Sequence, residues 1–247
     1  MRRVALVTGA SSGIGAETAR VLAGRGWDLA LHYGANRAGA EAVAADCAAL
    51  GARAVPIAAD LADPETVAPL FAALDGAFGR LDALVASAGI VDVAATVAEM
   101  TPARLTRMFM VNTVSAFLCA GQAVRRMARD SGGLGGAVVL VSSAAARLGS
   151  GGQYVDYAAS KAALDTLAKG LSDEVAGAGV RVVSLRPGVI DTGIHAKGGI
   201  PDRAARIAPM VPMGRAGTAA EVAEAIRWLI EDARYVTGTT LDLTGGR

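Results

Sequence analysis

Val4-Ala5-Leu6-Val7-Thr8-Gly9-Ala10-Ser11-Ser12-Gly13-Ile14-Gly15 runs from a short apolar stretch through spaced glycines into a segment with apolar residues at helical spacing. Strand, glycine turn and helix in that order form the first half of a βαβ unit. Gly9 suits the tight turn, Gly13 lets backbone approach a pyrophosphate, and Gly15 permits close packing of helix on strand. The helix N-terminus adds about half a positive charge aimed at such an anion. Ser11 and Ser12 supply hydroxyls that either donate to phosphate or cap the helix, and Ile14 completes the same binding turn. With 31 glycines in 247 residues, Gly-x-x-x-Gly-x-Gly arises roughly 0.5 times by chance. Its position between a first strand and a helix therefore carries the reading.

The same letters, Gly9-Ala10-Ser11-Ser12-Gly13, also spell the Gly-x-Ser-x-Gly nucleophile elbow of a serine hydrolase, with Ser11 as nucleophile. That elbow needs a downstream acid and His. Only His32 and His195 are present, and His32 reads as an inward strand residue, which leaves His195. An elbow serine also follows several strands as a rule, whereas this one follows the first.

Outward from the turn, short β-branched or Leu-rich runs alternate with Ala-rich helical segments. Strands are predicted at Val4–Val7, Leu29–Tyr33, Ala54–Ile57, Ala83–Ala86, Ala137–Val141, Arg181–Leu185 and Thr240–Leu243. Their unbroken apolar character suits strands buried on both faces. Helices are predicted at Gly13–Gly26, Arg37–Leu50, Pro64–Phe78, Pro102–Met127, Tyr154–Ala176 and Thr218–Ile230. The alternation implies an α/β fold, a single doubly wound parallel sheet with right-handed crossovers, over residues 1–247. No interdomain linker interrupts it. Asp130–Gly136 reads as a surface connection, and the Gly-, Pro- and Met-rich segment 191–215 as a lid over a substrate.

Composition narrows the function classes. A hydrophobic content of 53% supplies a large core, and a formal charge of +1 offers no basic stripe for nucleic acid. Met1-Arg2-Arg3 before Val4–Val7 is similar to the start of a signal peptide, but Thr8-Gly9 ends the apolar stretch after four residues. No run is long enough to span a membrane. Cys47 and Cys119 sit in apolar helical surroundings with no Cys-x-x-Cys spacing, which fits buried thiols in a reducing cytoplasm and no metal site.

The second chemical signal is Tyr157-Ala158-Ala159-Ser160-Lys161. With four Tyr and three Lys in the chain, chance places a Tyr four residues before a Lys roughly 0.05 times. On a helix the pair shares a face. A phenol with pKa of about 10 transfers protons poorly near neutrality, and a neighbouring ammonium stabilises its phenolate. Lysine also bonds sugar hydroxyls as a compact charge. The chain uses Arg for nearly every other cation.

At this point the chain resembles the short-chain dehydrogenase/reductase family over essentially its whole length, and within it the 3-oxoacyl-carrier-protein reductases and the glucose or sugar dehydrogenases. The resemblance rests on Thr8-Gly9-x-x-x-Gly13-x-Gly15, Asp60-Leu61, Ala88-Gly89, Asn112, Ser143, Tyr157-x-x-x-Lys161, and Pro187-Gly188 followed by Thr192. It implies a Rossmann fold and NAD(P)-dependent interconversion of a carbonyl and a secondary alcohol. Ser143 would then bond the substrate oxygen, Tyr157 would move the proton, and Lys161 would lower the Tyr157 pKa and hold the nicotinamide ribose. Asn112 would hold a water leading from Lys161 to solvent, unless it is an ordinary helix Asn bonding locally. Ser142 competes with Ser143, because adjacent strand residues face opposite ways.

For the cofactor, the resemblance implies that Asp60 meets the adenine amino group with Leu61 beside the ring; Asp60 as a helix cap is the alternative. Ser87, in Ala86-Ser87-Ala88-Gly89, stands where many members carry Asn, and Pro187, Gly188, Ile190 and Thr192 form the nicotinamide loop. No acidic side chain lies between Leu29 and Ala40, where an NAD-selective site places one, whereas Asn36 and Arg37 suit a 2′-phosphate. NADP(H) is thus the expected cofactor, with dual use of NAD(H) open. The small-molecule partner is a carbonyl or alcohol, and family resemblance with apolar helices points to a homotetramer. A cofactor-binding protein without catalysis is the alternative within the same fold.

Overall fold

The computed structural model describes residues 2–193, 198–200 and 202–247. All seven expected strands form one sheet, in the order β3-β2-β1-β4-β5-β6-β9, each pair parallel. They are β1 (Val4–Thr8), β2 (Asp28–Tyr33), β3 (Ala54–Ala58), β4 (Ala83–Ala86), β5 (Gly136–Val141), β6 (Val180–Pro187) and β9 (Thr239–Leu243). Intervening helices are α1 (Gly13–Gly24), α2 (Arg37–Ala49), α3 (Val67–Phe78), α4 (Pro102–Phe109), α5 (Ser115–Met127), α6 (Ala145–Leu148), α7 (Val155–Val175), α8 (Arg203–Ile207) and α9 (Ala219–Glu231).

Alternation along each strand sends side chains into two apolar layers. Val7, Leu31, Val85, Val139 and Val183 pack with Leu22 of α1, Val43 of α2 and Ile226 and Leu229 of α9. Leu6, Leu84, Val138, Leu140 and Val182 pack on the other side with Phe71 of α3, Ala120 of α5 and Leu164 of α7. Covering both faces requires apolar residues at consecutive strand positions, which explains the unbroken runs in the sequence.

The chain builds β1, β2 and β3 in one direction and then returns to lay β4 on the other side of β1, with Val7 opposite both Leu31 and Val85. This reversal opens a crevice beyond the carboxyl ends of β1 and β4. The glycine turn after β1 and Ala86-Ser87-Ala88-Gly89 after β4 both end there.

Two differences from expectation bear on the site. The single helix expected over Pro102–Met127 is divided by a π-helical turn, Met110–Val114, between α4 and α5. Hydroxyls loosen the ladder there: Ser115 donates to Val111 O at 2.6 Å and Thr113 to Ser160 O at 3.0 Å. Within 191–215 the described residues hold α8, and its borders form a two-stranded pair, β7 (Ile190–Asp191) with β8 (Gly217–Thr218). His195 and part of the lid segment lie outside the described residues.

Candidate active site

The turn after β1 is shaped by steric need at two glycines. Gly9 has φ +68°, and a Cβ there would lie 2.9 Å from Ala88 Cα, so only glycine lets the β1 and β4 ends meet this closely. A Cβ on Gly15 would run into the Gly9 carbonyl, so α1 packs directly on its own turn. At Gly13, φ is +57° and the nearest atoms to a Cβ are those of Thr192, 3.7 Å away. The glycine turn and the nicotinamide loop expected from sequence therefore meet at Gly13 and Thr192. Ser12 occupies the N-cap of α1 in extended backbone, yet its side chain makes no capping hydrogen bond.

Thr8 and His32 fasten this turn, and neither carried a role in the sequence reading. Thr8 Oγ1 accepts from Ala88 N at 3.0 Å. His32 Nδ1 accepts from Gly9 N at 3.1 Å, while its Nε2 lies 3.1 Å from the Ala59 carbonyl. Both ring nitrogens are thereby committed to backbone, so His32 gives Ser11 no general base and the hydrolase reading loses the only described histidine. The signal for Thr8 was its place in Thr8-Gly9; for His32 it was an imidazole inside an otherwise apolar strand.

Asn36 caps α2, accepting from Gly39 N at 3.1 Å, and donates to Ser11 O at 3.4 Å, which links the end of β2 to the glycine turn. Arg37 is exposed and pairs with Glu41 at 2.7 Å along the same helix. Asp60 is exposed and accepts from Ala62 N at 3.0 Å, whereas the cap of the turn at Pro64 is Asp63. Leu61 beside it is buried.

Across the crevice, the adjacent serines divide as strand geometry requires. Ser142 is buried and donates to Lys161 O at 2.9 Å. Ser143 accepts from Ala145 N at 3.1 Å, and its hydroxyl lies near enough to the Tyr157 phenol to act on it. Tyr157 is half-buried in the first turns of α7; burial pushes its phenol above the ordinary value, and the Ser143 hydroxyl draws it partly back. Lys161, one turn on, is buried and donates to Val141 O at 2.8 Å. Its Nζ stands 5.9 Å from the Tyr157 ring centroid. Burial lowers the amine to about 8, against a smaller opposing effect of Asp165.

Asn112 sits in the π-helical turn, where a widened backbone commonly marks a functional position. It accepts from Ile90 N at 2.7 Å and donates to Ile90 O at 3.0 Å and Ser160 Oγ at 3.0 Å. Its amide also reaches Met108 Sδ, one turn back, at 3.1 Å, so its bonds are both local and to other elements. A Cβ on Gly89 would lie 3.1 Å from Lys161 Nζ and 3.4 Å from Asn112 Oδ1. Gly89, Asn112 and Lys161 thus converge on one spot beneath Tyr157. The turn Pro187-Gly188 is held by Ala144 N to Pro187 O at 2.9 Å and Gly188 N to Leu243 O at 2.9 Å, and Ile190 is buried. Tyr154 donates to Gly198 O at 3.1 Å, tying the start of α7 to the segment beside it.

An unforeseen ion pair supports the first turn of α7. Arg104 of α4 grips Asp156 at 2.7 Å, with the carboxylate fully enclosed, and Asp156 Oδ1 accepts from Tyr157 N at 2.9 Å. Its separation of fifty-two residues leaves no local pattern to read. Among the described residues, no group of three His, Cys, Asp or Glu is placed to hold a metal, and no helix is long and apolar enough to cross a membrane. Cys47 and Cys119 are buried free thiols, pushed by burial to about 11 and about 12.

Residues 9–247 match the family model described as Enoyl-(Acyl carrier protein) reductase. The chain is 49% identical over 245 residues to the uncharacterized oxidoreductase YgfF of Escherichia coli, covering 99% of each. It is 39% identical to the cis-4-hydroxycyclohexanecarboxylate dehydrogenase of Sinomonas cyclohexanicum, over 99% of this chain and 96% of the relative. A short chain dehydrogenase from Burkholderia cenocepacia, solved in complex with NADP, superposes with a TM-score of 0.89 at 33% identity, over 99% of this chain and 97% of that one. A parallel sheet with its crevice at the β1–β4 reversal, the glycine turn, and matches along nearly the full length agree, and the chain belongs to the short-chain dehydrogenase/reductase family of oxidoreductases.

Proposed function

We propose that this protein is an NADP(H)-dependent oxidoreductase that interconverts a carbonyl and a secondary alcohol on a small organic molecule, with Tyr157 as general acid and base. The observation that carries the reading is the grouping of the Ser143 hydroxyl near the Tyr157 phenol with Lys161, one helical turn on, whose Nζ stands 5.9 Å from the Tyr157 ring centroid. The cradle at Gly13, where the backbone is left-handed and, among the described residues, only Thr192 stands near, fits a pyrophosphate at the N-terminus of α1. Gly9, Ser11, Ser12, Ile14 and Gly15 would line it, with Asp60, Leu61, Ser87 and Ala88 toward the adenosine and Pro187, Gly188 and Ile190 toward the nicotinamide. When bound, the nicotinamide supplies or accepts hydride.

The protein's own residues handle the proton. Burial keeps the Tyr157 phenol protonated at neutral pH, the form that donates to a carbonyl oxygen becoming an alkoxide. Ser143 donates to the same oxygen and orients it. In the opposite direction Tyr157 accepts the hydroxyl proton, and an ammonium at Lys161 stabilises the phenolate. Asn112 holds the Ile90 backbone at the floor of the site and would position a water between Lys161 and solvent.

NADP(H) is preferred on two grounds: no acidic side chain follows β2 to repel a 2′-phosphate, and the Burkholderia relative was solved with NADP. Arg37 must exchange its Glu41 partner for the phosphate, so NAD(H) use persists at lower efficiency. Phe117 and Leu118 stand exposed on α5, beside a groove lined by Gly121, Leu167, Gly170 and Leu171, which supports a homo-oligomer, in family terms a tetramer. Buried unoxidised thiols support a cytoplasmic setting. A panel of ketones, aldehydes, sugars and acyl thioesters with both cofactors, followed at the reduced-nicotinamide absorbance, tests the reading. Turnover with at least one carbonyl or alcohol, faster with NADP(H), is expected; none across the panel contradicts it.

A further inference from the structure

The imidazole of His32 stands in the sheet among apolar neighbours, 3% exposed, at the carboxyl end of β2. Its hydrogen bonds admit one protonation state. Nδ1 takes the Gly9 N–H at 3.1 Å and so must carry a lone pair, which leaves the proton on Nε2 to reach Ala59 O at 3.1 Å. The backbone fastens the same strand end twice more: Ala10 N donates to His32 O at 2.9 Å, and Ala59 N to Tyr33 O at 3.1 Å. One ring therefore spans the first glycine of the dinucleotide turn and the carbonyl immediately before Asp60.

We propose that His32 is a positioning residue of the dinucleotide site, and that only its neutral form holds the Gly9 turn in shape to bind the cofactor. A second proton on the ring would set Nδ1–H against Gly9 N–H, remove the acceptor for that amide and leave the new N–H with no acceptor facing it. Among the described residues Asp60 is the charged side chain acting on the ring, and burial outweighs it, holding the imidazole below its ordinary value. On the β4 side the turn has less room than a methyl group needs, since a Cβ on Gly9 would meet Ala88 Cα at 2.9 Å. Cofactor binding therefore expels one proton from His32 on the acid side of neutrality. The affinity falls by up to about tenfold per pH unit once the pH passes below the His32 pKa, the limit for one linked proton.

This inference rests on the cofactor reading above, and the test separates the two. NADP+ affinity and proton exchange are measured by calorimetry on the full chain between about pH 5 and 8, in buffers of different ionisation enthalpy. Circular dichroism at each pH confirms that the protein is folded. The 2′-phosphate itself titrates near pH 6, so the signal is the difference between wild type and His32→Asn. The Asn oxygen can accept from Gly9 N–H but cannot titrate. His32→Leu, with no acceptor, should bind about tenfold or more weakly at every pH, and His32→Asn should recover most of that loss and lack the wild type's extra proton release at acid pH. Identical pH profiles and proton counts for wild type and His32→Asn would overturn the proposal even if His32→Leu failed to fold. Wild-type protein that bound neither NADP+ nor NAD+ at about pH 8 would overturn the cofactor reading and this inference with it.

Discussion

The ammonium of Lys161 is bonded to the main-chain oxygen of Val141 at 2.8 Å, at the end of β5, and is enclosed by protein. That carbonyl anchors the amine, and burial holds its pKa at about 8.

The buried charge costs stability, with a defined pH dependence. The folded-state value lies below the unfolded one of about 10.4, so the unfolded chain binds more protons between the two. The cost is complete below about pH 8 and is relieved as pH rises through that window. Lys161→Met should therefore raise stability at neutral pH by on the order of 1 kcal/mol while abolishing turnover, since the removed charge outweighs the lost bond to Val141. Urea unfolding at neutral and alkaline pH checks this: the advantage of the variant should shrink toward pH 10 or so. A variant less stable than wild type at neutral pH contradicts it.

The two serines after β5 should separate stability from activity. Ser143→Ala loses the group facing Tyr157, and turnover should fall by about a hundredfold or more with little change in the melting temperature. Ser142→Ala leaves the Lys161 carbonyl without its hydroxyl donor and should cost about 1 to 2 kcal/mol of stability, with turnover per folded molecule within about tenfold of wild type. The reverse pattern in paired kinetics and melting curves would exchange their roles.

Arg104 and Asp156 form a nearly enclosed pair whose carboxylate also accepts from the Tyr157 N–H. Removing one partner strands a buried charge, so Arg104→Ala should lose about 3 to 5 kcal/mol. Arg104→Met with Asp156→Leu removes both charges and should be more stable than Arg104→Ala alone. Denaturant midpoints decide it, and a double variant no better than the single one would refute the buried-charge account.

Much of this was legible because it is local. The glycines, the four-residue spacing of Tyr157 and Lys161, and the apolar runs each express their geometry within a few residues, and every expected strand is present, as is every expected helix except the one over Pro102–Met127, which is divided. What escaped reading depends on partners far apart in the chain. The π-helical turn around Asn112 follows from side chains bonding across to α7 and to Ile90 in the segment after β4, which no helical periodicity encodes. The pairing of Arg104 with Asp156 and the clamp of His32 on Gly9 and Ala59 arise only when the sheet is assembled. Asp60 and Arg37 illustrate the opposite case: in the folded chain their side chains engage nearby groups, and their reach toward a ligand remains a proposal.

Tyr157→Phe tests the central claim most directly, because it removes one hydroxyl and leaves the ring in place. With a substrate found in the panel, turnover should fall by about 100- to 10,000-fold, while NADP+ binding measured by calorimetry stays within a few-fold of wild type. A variant that keeps more than about a tenth of wild-type turnover would contradict proton transfer by Tyr157.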